Sequence, residues 1–448
     1  MELRLRKFRC CACLLPGALV ALVLLLNAHL KTGFDPTGFG QWSWRAPALG
    51  SFYMSGAAGR TVTRFDCRQI FDGNETEIAR AVAHAEKHPL PPLNLTEFLL
   101  SLSDCDAFRT RRGYPSEPFS DEERRFPLAF TILMRNEVDQ LERLLRAIYM
   151  PQNSYCIHVD GKEPLPIHDA VRRLAACFPN VKVTDPFIIL YTGVSQLTSE
   201  LGCLRDLYVA DAAWKYYLNI AVSEFPLKTN RELVKIFARY GGRNELESFL
   251  SPLTAQRSKY RYVHVHNRST GVTRLVKTKV AKTPPPHALQ LWKSSRYVAL
   301  SRAFVEFVLT SPASRDLLVW LSDTASPDES WWATLNSNWQ IKSPTYAKER
   351  KRDDRYVARA VMWQGDGMTC RGKYVHSICV LGVGDLPTLR TYFGPKLIAN
   401  KFQRDYQPTA FDCLEELHVN RTLRPRELDW GFYDRLLNLK PYELPYSS

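Results

Sequence analysis

From Phe126 onward the sequence alternates between two hydrophobic periods, and this alternation restricts the fold more than any other feature. Leu128 to Met134 is an apolar run with strand character. Leu141, Leu144, Leu145 and Ile148 then recur at the spacing of one helical face. Tyr155 to Val159 reads as a strand, Ala170 to Cys177 as a helix and Val181 to Thr184 as a strand. Leu197, Leu201, Leu204 and Tyr208 mark a further helical face, and Lys215 to Val222 a further strand. Strands and helices alternating at these lengths predict an α/β fold, a mostly parallel central sheet flanked by helices. Ligands of such sheets lie beyond the carboxyl ends of the strands. Those ends read Leu133-Met134-Arg135, Asp160-Gly161-Lys162 and Ser223-Glu224-Phe225-Pro226. No G-x-G-x-x-G follows the first strand and no P-loop is present, which disfavours dinucleotide enzymes and kinases.

The N-terminus sets the compartment. Residues 1–9 carry Arg4, Arg6, Lys7 and Arg9 against Glu2, and residues 10–30 have no formal charge. The most apolar part, Cys10 to Leu26, is 17 residues, the short end of a membrane-spanning helix. Short spans suit the thinner early secretory membranes, and positive charge before the span keeps that end cytoplasmic. The reading is a signal anchor with the rest of the chain lumenal; a cleaved signal peptide is the alternative. Residues 31–64, rich in Gly, Pro, Ser and Thr, read as a stem. Residues 65–125 are polar, hold one amphipathic stretch near Ile78 to Glu86, and read as a lumenal region tied by disulfides to a catalytic domain over 126–448.

Cysteine usage agrees. Cys10, Cys11 and Cys13 stand at the membrane edge, where palmitoylation is chemically open. Eight others remain, an even number suited to an oxidising lumen, and eight cysteines allow 105 pairings. Among these eight no C-x-x-C pair points to zinc. Sequons at Asn74, Asn94, Asn267 and Asn420 all fall in the lumenal part. The formal net charge of +14 reads as scattered, without a zinc-finger or helix-turn-helix pattern. It suits anionic ligands such as a nucleotide sugar or a sialylated glycan better than nucleic acid.

Two short segments could carry chemistry. In Ser326-Pro327-Asp328-Glu329-Ser330-Trp331-Trp332, Glu329 is a candidate general base for an acceptor hydroxyl. The same residues spell an S-x-x-E capping box with proline at the first helical position, so a cap is the competing reading. Trp331 and Trp332 are either core or a platform for a sugar ring. Asp160-Gly161-Lys162 stands where a metal-using transferase places Asp-x-Asp, but lysine replaces the second aspartate. This favours side-chain charge over a metal on the leaving diphosphate.

The stretch Arg143-Leu144-Leu145-Arg146-Ala147-Ile148-Tyr149-Met150-Pro151-Gln152-Asn153, followed by Tyr155-Cys156-Ile157-His158-Val159-Asp160, resembles the core 2 β-1,6-N-acetylglucosaminyltransferase family. So do Trp214-Lys215-Tyr216, Phe225-Pro226-Leu227-Lys228-Thr229-Asn230, Ser326-Pro327-Asp328-Glu329 and Asn400-Lys401-Phe402, in the same order over about Cys67 to Cys413. The resemblance implies a GT-A-like fold and an inverting, metal-independent Golgi enzyme. Such an enzyme is a single-pass type II membrane protein that needs no cofactor. It moves N-acetylglucosamine from UDP-N-acetylglucosamine to the 6-hydroxyl of galactose or N-acetylgalactosamine on a glycan or glycoprotein. It implies Glu329 as base. For the donor it implies Leu133, Met134, Arg135, Asp160, Gly161, Lys162, Tyr191 and Lys401, with His376 where the family has an arginine. For the acceptor it implies Glu247 and Trp363. It implies the disulfides Cys67–Cys413, Cys105–Cys177, Cys156–Cys203 and Cys370–Cys379. The chain departs from the pattern at His376, which makes no bidentate clamp, and at Trp363-Gln364-Gly365, where the family's second aromatic is lost. Arg257 and Lys259 stand near the family's basic pair. A non-catalytic lumenal binding relative and a UDP-xylose transferase are the alternative readings.

Overall fold

Leu128–Met134 forms β1, the middle strand of a five-stranded sheet. In the computed structural model, which describes residues 64–345 and 356–437, the strands that follow are β2 (Ser154–Val159), β3 (Val181–Val183), β4 (Tyr216–Ala221), β5 (Glu224–Pro226), β6 (Tyr260–Asn267), β7 (Val272–Ala281), β8 (Ala299–Ser301), β9 (Arg359–Val361), β10 (Lys373–Val375), β11 (Ile378–Val380) and β12 (Ile398–Asn400). The main sheet runs β3-β2-β1-β4-β8. Its first four strands are parallel and β8 is antiparallel to β4. Helices Val138–Ile148, Leu165–Ala176 and Ser195–Ala210 make the crossovers. The expected alternation is thus present element by element.

The near-continuous apolarity of β1 follows from burial on both faces. Leu128, Phe130, Ile132 and Met134 enter one core with Leu141, Leu144, Leu145 and Ile148 of the first crossover helix. Ala129 faces a second core, with Leu197, Leu204 and Leu207 of the helix Ser195–Ala210. Each fully buried Leu or Phe contributes about 1.5–3 kcal/mol relative to exposure. Trp331 and Trp332 lie in the second core at 1% and 0% exposure, so they are core residues and no sugar platform.

Residues 65–125 form short helices, including Glu75–Lys87 over the expected amphipathic stretch. They share the first core through Leu102, Phe108 and Tyr114. Cys67–Cys413 and Cys105–Cys177 bind this segment to the rest, and Cys156–Cys203 and Cys370–Cys379 are also formed. Loss of a native disulfide typically costs 2–5 kcal/mol. The Asn74 and Asn94 side chains cap helices, Asn267 lies at a hairpin end, and Asn420 is half-buried within the helix Thr409–Leu423. The anchor, the stem up to Thr63 and Cys10, Cys11 and Cys13 lie outside the described residues. Among the described residues no helix is long and apolar enough to cross a membrane.

A second, three-stranded sheet, β5-β12-β9, stands beyond the end of β4. Its centre is the Glu224–Arg359 ion pair at 2.9 Å, with both side chains at 0% exposure. Ser223-Glu224-Phe225-Pro226 is therefore no open ligand edge: Glu224 is bound by Arg359, Asn400 and the backbone N–H of Ala221.

Candidate active site

The carboxyl ends of β1 and β2 are closed over by the loop through Phe187–Tyr191. Asp160 is buried, and its Oδ1 accepts the N–H of Lys162 at 3.1 Å and of Ile189 at 3.2 Å. Lys162 Nζ lies 3.2 Å from Asp160 Oδ2 and donates to the carbonyl of Ile189 at 2.7 Å. The Gly161 N–H donates to the Phe187 carbonyl at 2.8 Å. A Cβ at Gly161 would come within 3.1 Å of the Phe187 and Ile188 backbone, tight enough to favour glycine there. Leu133 and Met134 end β1 beside them, and Arg135 is exposed with its Nε 3.2 Å from Glu163.

The same loop reaches two other elements. Tyr191, 74% exposed, stacks on His376 with ring centroids 6.2 Å apart. His376 sits at the turn between β10 and β11 with φ +52°. Lys401 Nζ donates to the carbonyl of Val375 in that hairpin at 2.9 Å, and burial lowers its pKa. Arg371 and Lys373, the cations flanking the turn, are engaged elsewhere, on Glu75 and over the Tyr406 ring. Trp363 bridges to Ile378 of β11, so it is joined to the His376 hairpin.

The turn that carries Glu329 is joined to the same loop. The capping box expected at Ser326 does not form. Ser326 has φ +49° and makes no side-chain cap, and Pro327–Glu329 is a short 3-10 turn. The Ser326 N–H is drawn instead to the carbonyl of Thr192 at 2.7 Å, which ties the turn to the Tyr191 loop. Freed from capping, the Glu329 carboxylate is paired with Lys293 at 3.1 Å and with Arg257. Burial opposes its ionisation, but Lys293 and Arg257 outweigh that and hold the carboxyl below its usual range. Asp328 is buried next to Arg296, 3.8 Å away, and burial raises its pKa. Behind them burial pushes Glu200 up to about 7.

Glu247 is buried and not a surface carboxylate. It lies between Glu245, whose backbone pairs with Ala299, and Phe249, whose backbone pairs with Lys293. One backbone run thus connects it to the lysine that holds Glu329. Lys293, Arg296 and Glu200 carry no motif in the sequence. Only their approach in space identifies them.

The loop thus ties together the Asp160 turn, through Phe187 and Ile189, the His376 hairpin, through Tyr191, and the Glu329 turn, through Thr192. Cations line the first two, and an ionised carboxylate with a partly exposed face, 32%, marks the third.

The family model described as "Core-2/I-Branching enzyme" matches residues 128–390. A human N-acetyllactosaminide β-1,6-N-acetylglucosaminyl-transferase is 37% identical over 362 residues, 81% of this chain and 86% of that protein. Human β-1,3-galactosyl-O-glycosyl-glycoprotein β-1,6-N-acetylglucosaminyltransferase 3 is 35% identical over 366 residues, 78% and 82% of the two chains. The solved apo structure of mouse xyloside xylosyltransferase 1 aligns with 62% of this chain and 99% of its own at 12% identity and a TM-score of 0.30. That overlap is too loose to bear on the chemistry.

Proposed function

This chain belongs to the Core-2/I-branching enzyme family, and from that premise we propose that it is an inverting β-1,6-N-acetylglucosaminyltransferase. The donor is UDP-N-acetylglucosamine and the acceptor is the 6-hydroxyl of galactose or N-acetylgalactosamine in an O-glycan or related glycan. Glu329 takes the acceptor proton as the hydroxyl oxygen attacks the anomeric carbon. The new carbon–oxygen bond forms as the bond to UDP breaks, with inversion at that carbon. Leu133, Met134, Arg135, Asp160, Gly161 and Lys162 frame the nucleotide with Tyr191, Lys401 and His376 face the diphosphate, and Glu247 and Trp363 serve the acceptor. No metal is required in this reading. Supporting it, Asp160 is already satisfied by Lys162 and the Ile189 N–H. The protein is a single-pass type II Golgi membrane protein, anchored through residues 10–30.

The observation that carries the reading is the Glu329 carboxylate, released from its cap and held ionised by Lys293 and Arg257. A donor panel tests it. With galactosyl and N-acetylgalactosaminyl acceptors, transfer is expected from UDP-N-acetylglucosamine and unchanged by EDTA. A preference for UDP-xylose, or loss of activity with EDTA, would sink the donor or the metal-free assignment.

A weakly active or non-catalytic binding relative is a second reading, favoured by one observation. Histidine stands at 376, with Arg371 and Lys373 both turned to other partners. A guanidinium holds a phosphate through two parallel hydrogen bonds where an imidazole offers one. His376→Arg is therefore expected to raise kcat/KM about tenfold, a gain of roughly 1.4 kcal/mol in transition-state stabilisation. No gain from this change, on a wild type without turnover, would leave only the binding role.

A further inference from the structure

Residues 259–282 carry seven cationic side chains and no carboxylate, half of the chain's formal charge of +14. The charge is thus concentrated here, against the expectation of a scattered one. The segment forms the β6–β7 ribbon, whose strands pair only with each other among the described residues. Its base is fastened beside the Glu329 turn: the Tyr262 N–H donates to the Asp323 carbonyl at 2.9 Å, and Arg261 and Lys282 both pair with the Asp323 carboxylate.

Cross-strand register sorts the side chains by face. Val263 and Val265, opposite Val276 and Arg274, share one face. Tyr262, His264 and His266, opposite Lys277, Leu275 and Thr273, share the other. This second face is turned toward the site: His264 Nε2 lies 2.7 Å from where a Cβ on Gly193 would stand, one residue beyond Thr192, whose carbonyl holds Ser326. Lys259 and Lys277 stand 5.6 and 4.7 Å from the centre of the Tyr260 ring. Arg268, Arg274, Lys277 and Lys279 form no ion pair among the described residues.

We propose that the site-facing side of this ribbon binds a sulfate-bearing arm of the acceptor saccharide. The inference rests on the reading that the chain transfers sugar to a glycan. The ribbon supplies what such an arm needs: positive charge with no competing carboxylate, and tyrosine rings that offer an apolar face to a pyranose. The cation that the register places on this face is a lysine, Lys277. A lysine acts as a point charge suited to a tetrahedral sulfate, whereas the planar carboxylate of a sialic acid matches the fork of an arginine. Here Arg274 lies on the opposite face and Arg261 is occupied by Asp323. Lysines also protect open strand edges from pairing. That role alone does not call for excluding every carboxylate, nor for gathering tyrosines, histidines and a lysine on the face turned toward Glu329. Exposed ion pairs are individually weak and screened by salt, so the effect arises from several acting together and fades as salt rises.

The test compares a neutral galactose-terminated acceptor with its 3-O-sulfated and its 3-O-sialylated counterparts, both of which leave the 6-hydroxyl free, using the full-length chain. The sulfated acceptor is expected to show a KM at least about fivefold lower at low salt, and the advantage to shrink at high salt. The double variant Lys277→Gln/Lys279→Gln should bring the two KM values together. An undiminished preference in that variant, no preference in the wild type, or an equal advantage for the sialylated acceptor would overturn the proposal. Calorimetry with the sulfated saccharide alone separates the two readings. Lysine-dependent binding without transfer removes the transferase reading and keeps the sulfate site. Transfer without sulfate preference removes the sulfate site only.

Discussion

Replacing Glu329 with glutamine is expected to lower kcat by about 10³-fold while leaving UDP affinity within about twofold. The substitution keeps the size of the side chain and one oxygen toward Arg257 and Lys293, and removes the negative charge and with it the capacity to accept a proton. Because Ser326 makes no side-chain cap and Glu329 does not serve as the third residue of a capping box, the change costs no helix end. The thermal midpoint should therefore shift by only a few degrees. A purely structural Glu329 would give the opposite pattern, a lowered midpoint with normal turnover per folded molecule. The pH dependence follows from the same cations. Burial acts to raise the carboxyl, but Lys293 and Arg257 bring it below its ordinary value. A depressed carboxyl stays charged as pH falls and is lost as a base only below the ordinary carboxyl range. Wild-type kcat should thus show no acid limb from Glu329 between pH 5 and 7. An inflection in that window that vanishes in Glu329→Gln would mean that the two cations do not hold the base ionised.

The central sheet was legible because its strands are buried on both faces, and burial leaves its mark directly as apolar runs such as Leu128 to Met134. The first crossover helix was legible for the same reason, through Leu141, Leu144, Leu145 and Ile148. Local pattern misled at Ser326. The S-x-x-E spacing is right for a cap, but the Thr192 carbonyl, far away in sequence, captures the Ser326 N–H and sets a different turn. Glu247 reads as an ordinary polar-loop residue because its burial depends on backbone pairing of its neighbours with Ala299 and Lys293. Lys293 is itself invisible in Trp292-Lys293-Ser294, since a lysine between polar and aromatic neighbours has no pattern until Glu329 is brought to it. The β6–β7 ribbon was readable in principle. Its valines alternate with polar residues at the strand period, and it holds no acidic residue. Spreading the charge evenly over the chain hid it.

Arg359→Met is expected to destabilise the protein by about 3–5 kcal/mol. The guanidinium is fully buried and used on all sides: Nε donates to Glu224 at 2.9 Å, Nη1 to the Ala358 carbonyl at 2.8 Å, Nη2 to the Asn219 carbonyl, and its face lies 4.5 Å from the Tyr297 ring. Methionine fills much of the space but strands the Glu224 carboxylate, leaving it the Asn400 amide and the Ala221 N–H, and it orphans two carbonyls. Most of the expected cost is that of an uncompensated buried charge, not of a lost attraction. The double variant Glu224→Gln/Arg359→Met should therefore be more stable than Arg359→Met alone, a non-additivity that denaturant titration of both proteins would read. The pair also has a consequence for the site. Glu224, Arg359 and Asn400 lie on the three strands of the β5-β12-β9 sheet, and Asn400 precedes Lys401, whose ammonium reaches the His376 hairpin. If the sheet serves to deliver Lys401, UDP affinity should fall in Arg359→Met even in the folded fraction and recover in the double variant. Equal UDP affinity in all three proteins would confine the buried pair to stability and leave the placement of Lys401 to its own hairpin contact.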